Sequence, residues 1–178
     1  KKDTRSGFGE GLLQAGKADP KVVALTADLK GSLKMDAFAA EFPERYYECG
    51  IAEANMTGIA AGMATCGLIP FTNTFAMFAA GRAFEQVRNS IAYPHHNVKV
   101  VGSHGGPSVG EDGATHHGAF DLPYLRTIPN MNILAPKDEN ELRQMIFAAL
   151  HKDFPVAIGY PRGAGLGVKV EAEPQKIS

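Results

Sequence analysis

Two cysteines, Cys49 and Cys66, are all that the 178 residues contain. That is too few for a disulfide framework, and no CxxC pair exists to build a zinc ribbon. Long apolar runs are missing as well: none approaches the roughly 18 residues of a membrane-spanning helix, and no signal peptide is read at the start. A basic excess is also lacking. Lys and Arg number 18 against 19 Asp and Glu, a formal net charge of −1, which argues against a nucleic-acid or anionic-membrane surface. There is no internal repeat and no low-complexity segment. What is present is a globular composition, 44% hydrophobic and 21% charged, with enough length to bury roughly 70% of the unfolded surface. The expectation is a soluble, cytoplasmic protein: one domain over residues 1–170, then a polar linker or tail over 171–178. Glycine is plentiful, with 20 residues, several of them concentrated in two loops.

Short apolar runs alternate with helical patterns. Strands are expected at 22–26, 46–49, 68–72, 98–102, 131–135 and 156–160, the 98–102 run being β-branched and leading into a glycine loop. Helices are expected at 58–66, where small residues dominate, at 82–93, stopped by Pro94, and at 141–151, capped by Asp138 or Glu139. This alternation predicts an α/β fold, three-layer α/β/α, with a central and mostly parallel sheet. Ligands of such sheets sit beyond the carboxyl ends of the strands. The chemically suggestive residues all follow predicted strands.

Three places carry potential chemistry. Glu53, in Gly50-Ile51-Ala52-Glu53-Ala54-Asn55-Met56, enters a helix rich in Gly58, Ala60, Ala61, Gly62 and Ala64. An acid there serves the helix dipole, worth roughly 0.3–1 kcal/mol. Alternatively, the small-residue face lets a ligand approach and buries the acid, which would then hold a proton more readily. The second place is the loop Gly102 to His117, with five glycines spaced among Ser103, His104, Glu111, Asp112, Thr115 and His116. Its length exceeds the roughly 2–6 residues of a plain connector. Its histidines suit phosphate or hydroxyl groups and proton movement; a metal held by His104, His116 and His117 is the rival reading. The third is Arg162 in Tyr160-Pro161-Arg162-Gly163, a planar fork suited to phosphate or carboxylate, or to a surface ion pair. Phe75, Phe78 and Phe84 read as core on residue type alone. Gly7-Phe8-Gly9-Glu10-Gly11 looks like a phosphate loop, but no strand precedes it and the motif spacing is wrong.

Taken together, several stretches resemble the pyrimidine-binding domain of thiamine-diphosphate enzymes of the transketolase group. They are Gly50 to Met56, Asn73-Thr74-Phe75-Ala76-Met77-Phe78 with Gly81 to Arg88, Ser103-His104-Gly105-Gly106, Gly110-Glu111-Asp112-Gly113 and Thr115-His116. The resemblance runs in order from about Thr4 to Arg162. Asp28-Leu29-Lys30-Gly31-Ser32 is also similar to transketolase. Thr115 to Leu122, Pro136 to Glu141 and Tyr160 to Gly163 look more like 1-deoxyxylulose-5-phosphate synthase, a sister enzyme. The glycine-loop spacing tips the reading toward transketolase.

The resemblance implies roles. Glu53 would hydrogen-bond N1′ of the cofactor's aminopyrimidine and favour the imino tautomer that deprotonates the thiazolium C2. That task asks for a desolvated site poor in cationic neighbours. Phe78 would stack on the pyrimidine with Phe75 lining the same pocket, and Asp28 is counted with them as cofactor-binding. Asp112 would take a sugar hydroxyl, His104, Arg162 and Ser32 the sugar phosphate, and His116 would move protons at the reacting carbonyl. A third aromatic found near Gly81 in some members is missing. The family holds the diphosphate and its magnesium with a separate domain bearing a GDG motif and paired asparagines, and neither occurs in this chain. The chain is therefore expected to bind no metal itself, and to need a diphosphate-binding domain or subunit in a homodimer or heterotetramer. The expected activity is transfer of a two-carbon ketol unit between sugar phosphates. The alternatives are the synthase reaction, the β subunit of a 2-oxoacid dehydrogenase, and a non-catalytic assembly subunit.

Overall fold

A computed structural model describes residues 3–168; the expected tail at 171–178 lies outside the described residues. Among those residues six strands form one sheet: β1 (Val22–Thr26), β2 (Tyr46–Glu48), β3 (Ile69–Phe75), β4 (Lys99–Ser103), β5 (Asn132–Leu134) and β6 (Val156–Gly159). All neighbouring pairs are parallel, in the order β2-β1-β3-β4-β6-β5. Every expected strand is present within a residue or two, except that β3 continues to Phe75. Alternation along β1 builds the layers. Val22 and Ala24 face a core with Phe8, Leu12, Leu142 and Ile146, whereas Val23 and Leu25 face a second core with Met56, Ala60, Val87 and Ile91. Both faces are covered, so the strands read as unbroken apolar runs. The three-layer α/β/α expectation holds.

From β1 the chain moves outward to β2, then recrosses β1 to reach β3 and β4. Connections leave β1 and β3 in opposite directions, which opens a crevice beyond their carboxyl ends. No helix among the described residues is long and apolar enough to cross a membrane.

The helices are α1 (Thr4–Ala18), α2 (Asp36–Glu41), α3 (Glu53–Thr65), α4 (Phe84–Gln86), α5 (Asp121–Arg126) and α6 (Glu139–Leu150). Asp138 is the cap of α6, accepting from the Asn140 and Glu141 amides at 3.0 and 2.8 Å. The sequence pattern gave no sign of α1, because glycines at 7, 9, 11 and 16 lower helix propensity by up to about 1 kcal/mol each. They are there for packing. A Cβ on Gly7 would lie 2.4 Å from the Glu139 carbonyl oxygen, and one on Gly9 2.3 Å from that of Lys34. The apparent phosphate loop is thus a helix pressed against α6 and the loop after β1.

Gly58 and Gly62 of α3 differ, with nothing within 4 Å of a built Cβ; Ala60 and Ala61 of that helix are buried, whereas its glycines are exposed. In the isolated chain Gly62→Ala should therefore add about 0.5–1 kcal/mol of stability. Gly7→Ala should cost about 1–3 kcal/mol. Urea denaturation of the two variants checks the contrast.

The helix expected at 82–93 starts earlier and is not regular. Two π-helical turns, Phe78–Arg82 and Val87–Ala92, flank α4. The first is closed by the Ala83 amide donating to the Phe78 carbonyl at 3.1 Å. Phe78 and Arg82, four residues apart, lie on one side of it.

Candidate active site

Beyond the carboxyl ends of the strands lies a cavity of about 530 Å³, and all nine residues to which the resemblance gave roles line it, whereas Phe84, Thr115 and His117 do not. Asp28 and Ser32 arrive from the segment after β1, Glu53 from the start of α3 after β2, and Phe75 from the end of β3. Phe78 begins the first π turn, His104 follows β4, Asp112 and His116 come from the glycine loop, and Arg162 follows β6. Five strand ends thus converge on one volume, which is the reason residues 134 positions apart in sequence, Asp28 and Arg162, share a wall.

Backbone geometry aims several of these groups. Asp28 and His104 have φ of 59° and 57°, a left-handed conformation that non-glycine residues adopt at a cost of order 1–3 kcal/mol and that clusters at functional sites. The Asp28 amide is held by the Glu48 carboxylate at 2.6 Å. His104 is 2% exposed; its Nδ1 meets the Ser103 hydroxyl at 2.8 Å and its ring lies 4.1 Å from that of Phe75. Phe75 and Phe78 stack with centroids 6.0 Å apart and planes 20° from parallel. His116 stands edge-on to Phe78 at 5.2 Å, its Nδ1 paired with the Thr115 hydroxyl at 2.9 Å. Arg162 donates to the Val109 carbonyl at 2.8 Å, which pins the glycine loop to the end of β6.

Glu53 is 2% exposed, as its placement on a small-residue helix suggests. The expectation of a site poor in cations is corrected. Arg82 Nη1 donates to both Glu53 oxygens, at 3.1 and 2.9 Å, while the Arg82 guanidinium carbon lies 4.2 Å from the Phe78 ring centroid. Arg82 also lines the cavity. It stood inside a quoted motif, but the helix was expected to begin only at 82, which hid its place four residues after Phe78 on one helical face.

Arg5 is the second residue the sequence reading missed. It follows the Asp3 cap of the unforeseen α1, forms an ion pair with Asp3, donates to the Ser32 carbonyl at 3.1 Å and lines the cavity. Among the described residues no three His, Cys, Asp or Glu side chains gather as a metal site requires, so the three histidines of the loop do not converge. Phe84 packs as core, with its ring edge-on to Tyr124 at 6.2 Å.

Burial drives His104 down to about 4, with Arg5 and Arg162 adding to the effect and Asp112 and Asp3 opposing it. The imidazole is therefore neutral in the folded chain at pH 7. Unfolded, it takes a proton near 6.5. Between about 6.5 and about 4 the unfolded chain binds the extra proton, so stability falls as pH drops through that window and is unaffected by this group above it. The loss is on the order of 3 kcal/mol near pH 4. Urea midpoints measured across that range should fall more steeply for the wild type than for His104→Gln. Equal slopes would assign the acid sensitivity elsewhere.

Residues 1–166 match the family described as transketolase, pyrimidine binding domain. A protein of Methanocaldococcus jannaschii named as a transketolase C-terminal section is 47% identical over 161 residues, 90% of this chain and 51% of that protein. A 1-deoxy-D-xylulose-5-phosphate synthase of Geobacter sulfurreducens is 44% identical over 170 residues, 96% of this chain and 26% of the enzyme. Among solved structures, one described as a split gene transketolase, inactive beta4 tetramer, superposes with a TM-score of 0.84 at 42% identity, covering 99% of this chain and 56% of that one. The transketolase of Leishmania mexicana gives 0.82 at 29% identity, covering 94% of this chain and 27% of that enzyme. The chain thus spans about half, or about a quarter, of the proteins it matches.

Proposed function

Because the chain belongs to the family of transketolase pyrimidine-binding domains, we propose that it supplies the aminopyrimidine half of a thiamine-diphosphate site. The enzyme it serves would transfer a two-carbon ketol unit between sugar phosphates. The observation that carries this reading is the convergence of those nine residues on one cavity, with a buried carboxylate beside two stacked phenyl rings. That donor set fits a planar, nitrogen-bearing ring: the carboxyl group meets a ring nitrogen and the phenyls offer a stacking face worth about 0.5–1.5 kcal/mol beyond area burial.

Thiamine diphosphate, when bound, supplies the electron sink for breaking a carbon–carbon bond beside a carbonyl. The chain's residues do the rest. Glu53 bonds the ring nitrogen and shares a proton with it, Phe78 and Phe75 hold the ring's plane, and Asp28 lines the cofactor's side of the cavity. In the tautomer in which Nδ1 of His104 accepts from the Ser103 hydroxyl, 2.8 Å away, the neutral imidazole presents Nε2–H as a single donor. Together with Arg162, Ser32 and Arg5 it holds a sugar phosphate; Arg's fork suits that group. Asp112 accepts from a sugar hydroxyl, and His116 carries a proton to or from the substrate carbonyl oxygen. The diphosphate and its magnesium fall to a second domain or subunit, in a homodimer or heterotetramer, and residues 1–170 form this chain's share.

The test is turnover by the chain assembled with a diphosphate-binding partner, supplied with xylulose 5-phosphate and ribose 5-phosphate. The chain alone should be inactive and the assembly active. A second reading, deoxyxylulose phosphate synthesis, is favoured by the 44% identity to the Geobacter enzyme. Carbon dioxide release from pyruvate plus glyceraldehyde 3-phosphate would exchange the first reading for the second. Turnover of neither pair leaves the dehydrogenase β subunit and the assembly subunit.

A further inference from the structure

We propose that Arg82 is a placeholder in the cofactor pocket: its guanidinium bonds Glu53 and lies against Phe78, the two contacts assigned above to the cofactor's ring, and loading displaces it. This rests on the reading of Glu53 and Phe78 given above.

Two contacts define the position. Nη1 of Arg82 bonds both Glu53 oxygens, at 3.1 and 2.9 Å, and the guanidinium carbon lies 4.2 Å from the Phe78 centroid. One flat cationic group thus makes both the hydrogen bond and the ring contact that the aminopyrimidine is assigned to make. A ring that takes the same Glu53 oxygen and the same face of Phe78 competes with the guanidinium for them.

Energetics explain why the guanidinium rests there and why it can go. The Glu53 side chain is 2% exposed, and a buried carboxylate without a partner is costly. The Arg82 side chain is 47% exposed, so its outer part already faces water and leaving exposes little more. It sits on a π-helical turn, next to Gly81, a kind of turn often found at functional sites. The proposed role favours the departure. Nη1 of Arg82 takes both Glu53 oxygens, whereas the proposed role asks one of them to face a ring nitrogen, so Arg82 in its present place and Glu53 in its proposed role compete. The displacement acts as a conformational tax on the cofactor: if the open position is held by a tenth of the molecules, apparent affinity drops about tenfold.

Two measurements test this. In the cofactor-free chain, Glu53→Gln, Arg82→Met and the double variant form a cycle read by urea denaturation. A clearly non-additive result is expected, and additivity would overturn the contact itself. In the chain assembled with its diphosphate-binding partner, calorimetric titration of thiamine diphosphate should give about tenfold tighter binding for Arg82→Met. Arg82→Lys, which keeps the charge without the flat face, should lie between. Equal or weaker binding by Arg82→Met would overturn the placeholder and make Arg82 a bystander or a ligand. If the cycle is non-additive but Glu53→Ala, which removes every polar partner at that position, binds thiamine diphosphate as the wild type does, the ion pair stands and the assignment of Glu53 to the cofactor falls, taking the placeholder with it.

Discussion

Glu53→Gln in the assembled enzyme is expected to lower kcat by about 10²–10⁴-fold, the range that a positioned proton-sharing group contributes. Glutamine matches glutamate in size and still offers a polar partner to a ring nitrogen, but it cannot exchange a proton there. The fold should tolerate the change. Glu53 opens α3 with no side-chain cap of its own, and an acid in the first turn is worth only about 0.3–1 kcal/mol. Turnover under saturating cofactor, measured beside the urea midpoint of the same preparation, separates lost chemistry from lost structure. Unchanged turnover would remove Glu53 from the reaction.

Phe71→Ala should have the largest effect on stability, about 3–5 kcal/mol. Phe71 is fully buried at the centre of β3, paired with Ala24 on one side and Lys99 on the other. It belongs to the core shared with Phe8, Leu12, Leu142 and Ile146, so truncation opens a void that α1, α6 and the sheet cannot all close. Phe75 lies four residues along the same strand, in the same core, at the floor of the cavity. Loss of Phe71 should therefore also weaken cofactor binding through the seat of Phe75, without touching the cavity. Denaturation and thiamine diphosphate titration on one variant test both effects; a loss under about 1 kcal/mol would show that the layer repacks.

Much of this was legible in the residues. β-branched runs such as Val98 to Val101 marked the sheet, because strands buried on both faces need no polar alternation. The site was legible as motifs because strand ends in a parallel sheet collect at one edge. Other features depended on tertiary contacts. The glycines of α1 weaken its helical signal and make sense only beside their tertiary neighbours, the Glu139 and Lys34 carbonyls for Gly7 and Gly9, Ile146 for Gly11 and Phe38 with Phe42 for Gly16. Arg82 looked like any helix arginine because the helix was expected to start at 82, whereas it begins earlier and sets Arg82 on the side of Phe78, against Glu53. The two surprises share a cause: backbone approach and helix register are set by neighbours distant in sequence.

The central claim is that Glu53 and Phe78 receive the cofactor's aminopyrimidine. A crystal structure of the chain assembled with its diphosphate-binding partner and soaked with thiamine diphosphate tests it most directly. The account predicts a Glu53 carboxylate oxygen about 2.6–3.2 Å from a ring nitrogen, the ring stacked on Phe78 and Arg82 withdrawn. A cofactor ring seated elsewhere, with Glu53 still paired to Arg82, would contradict it.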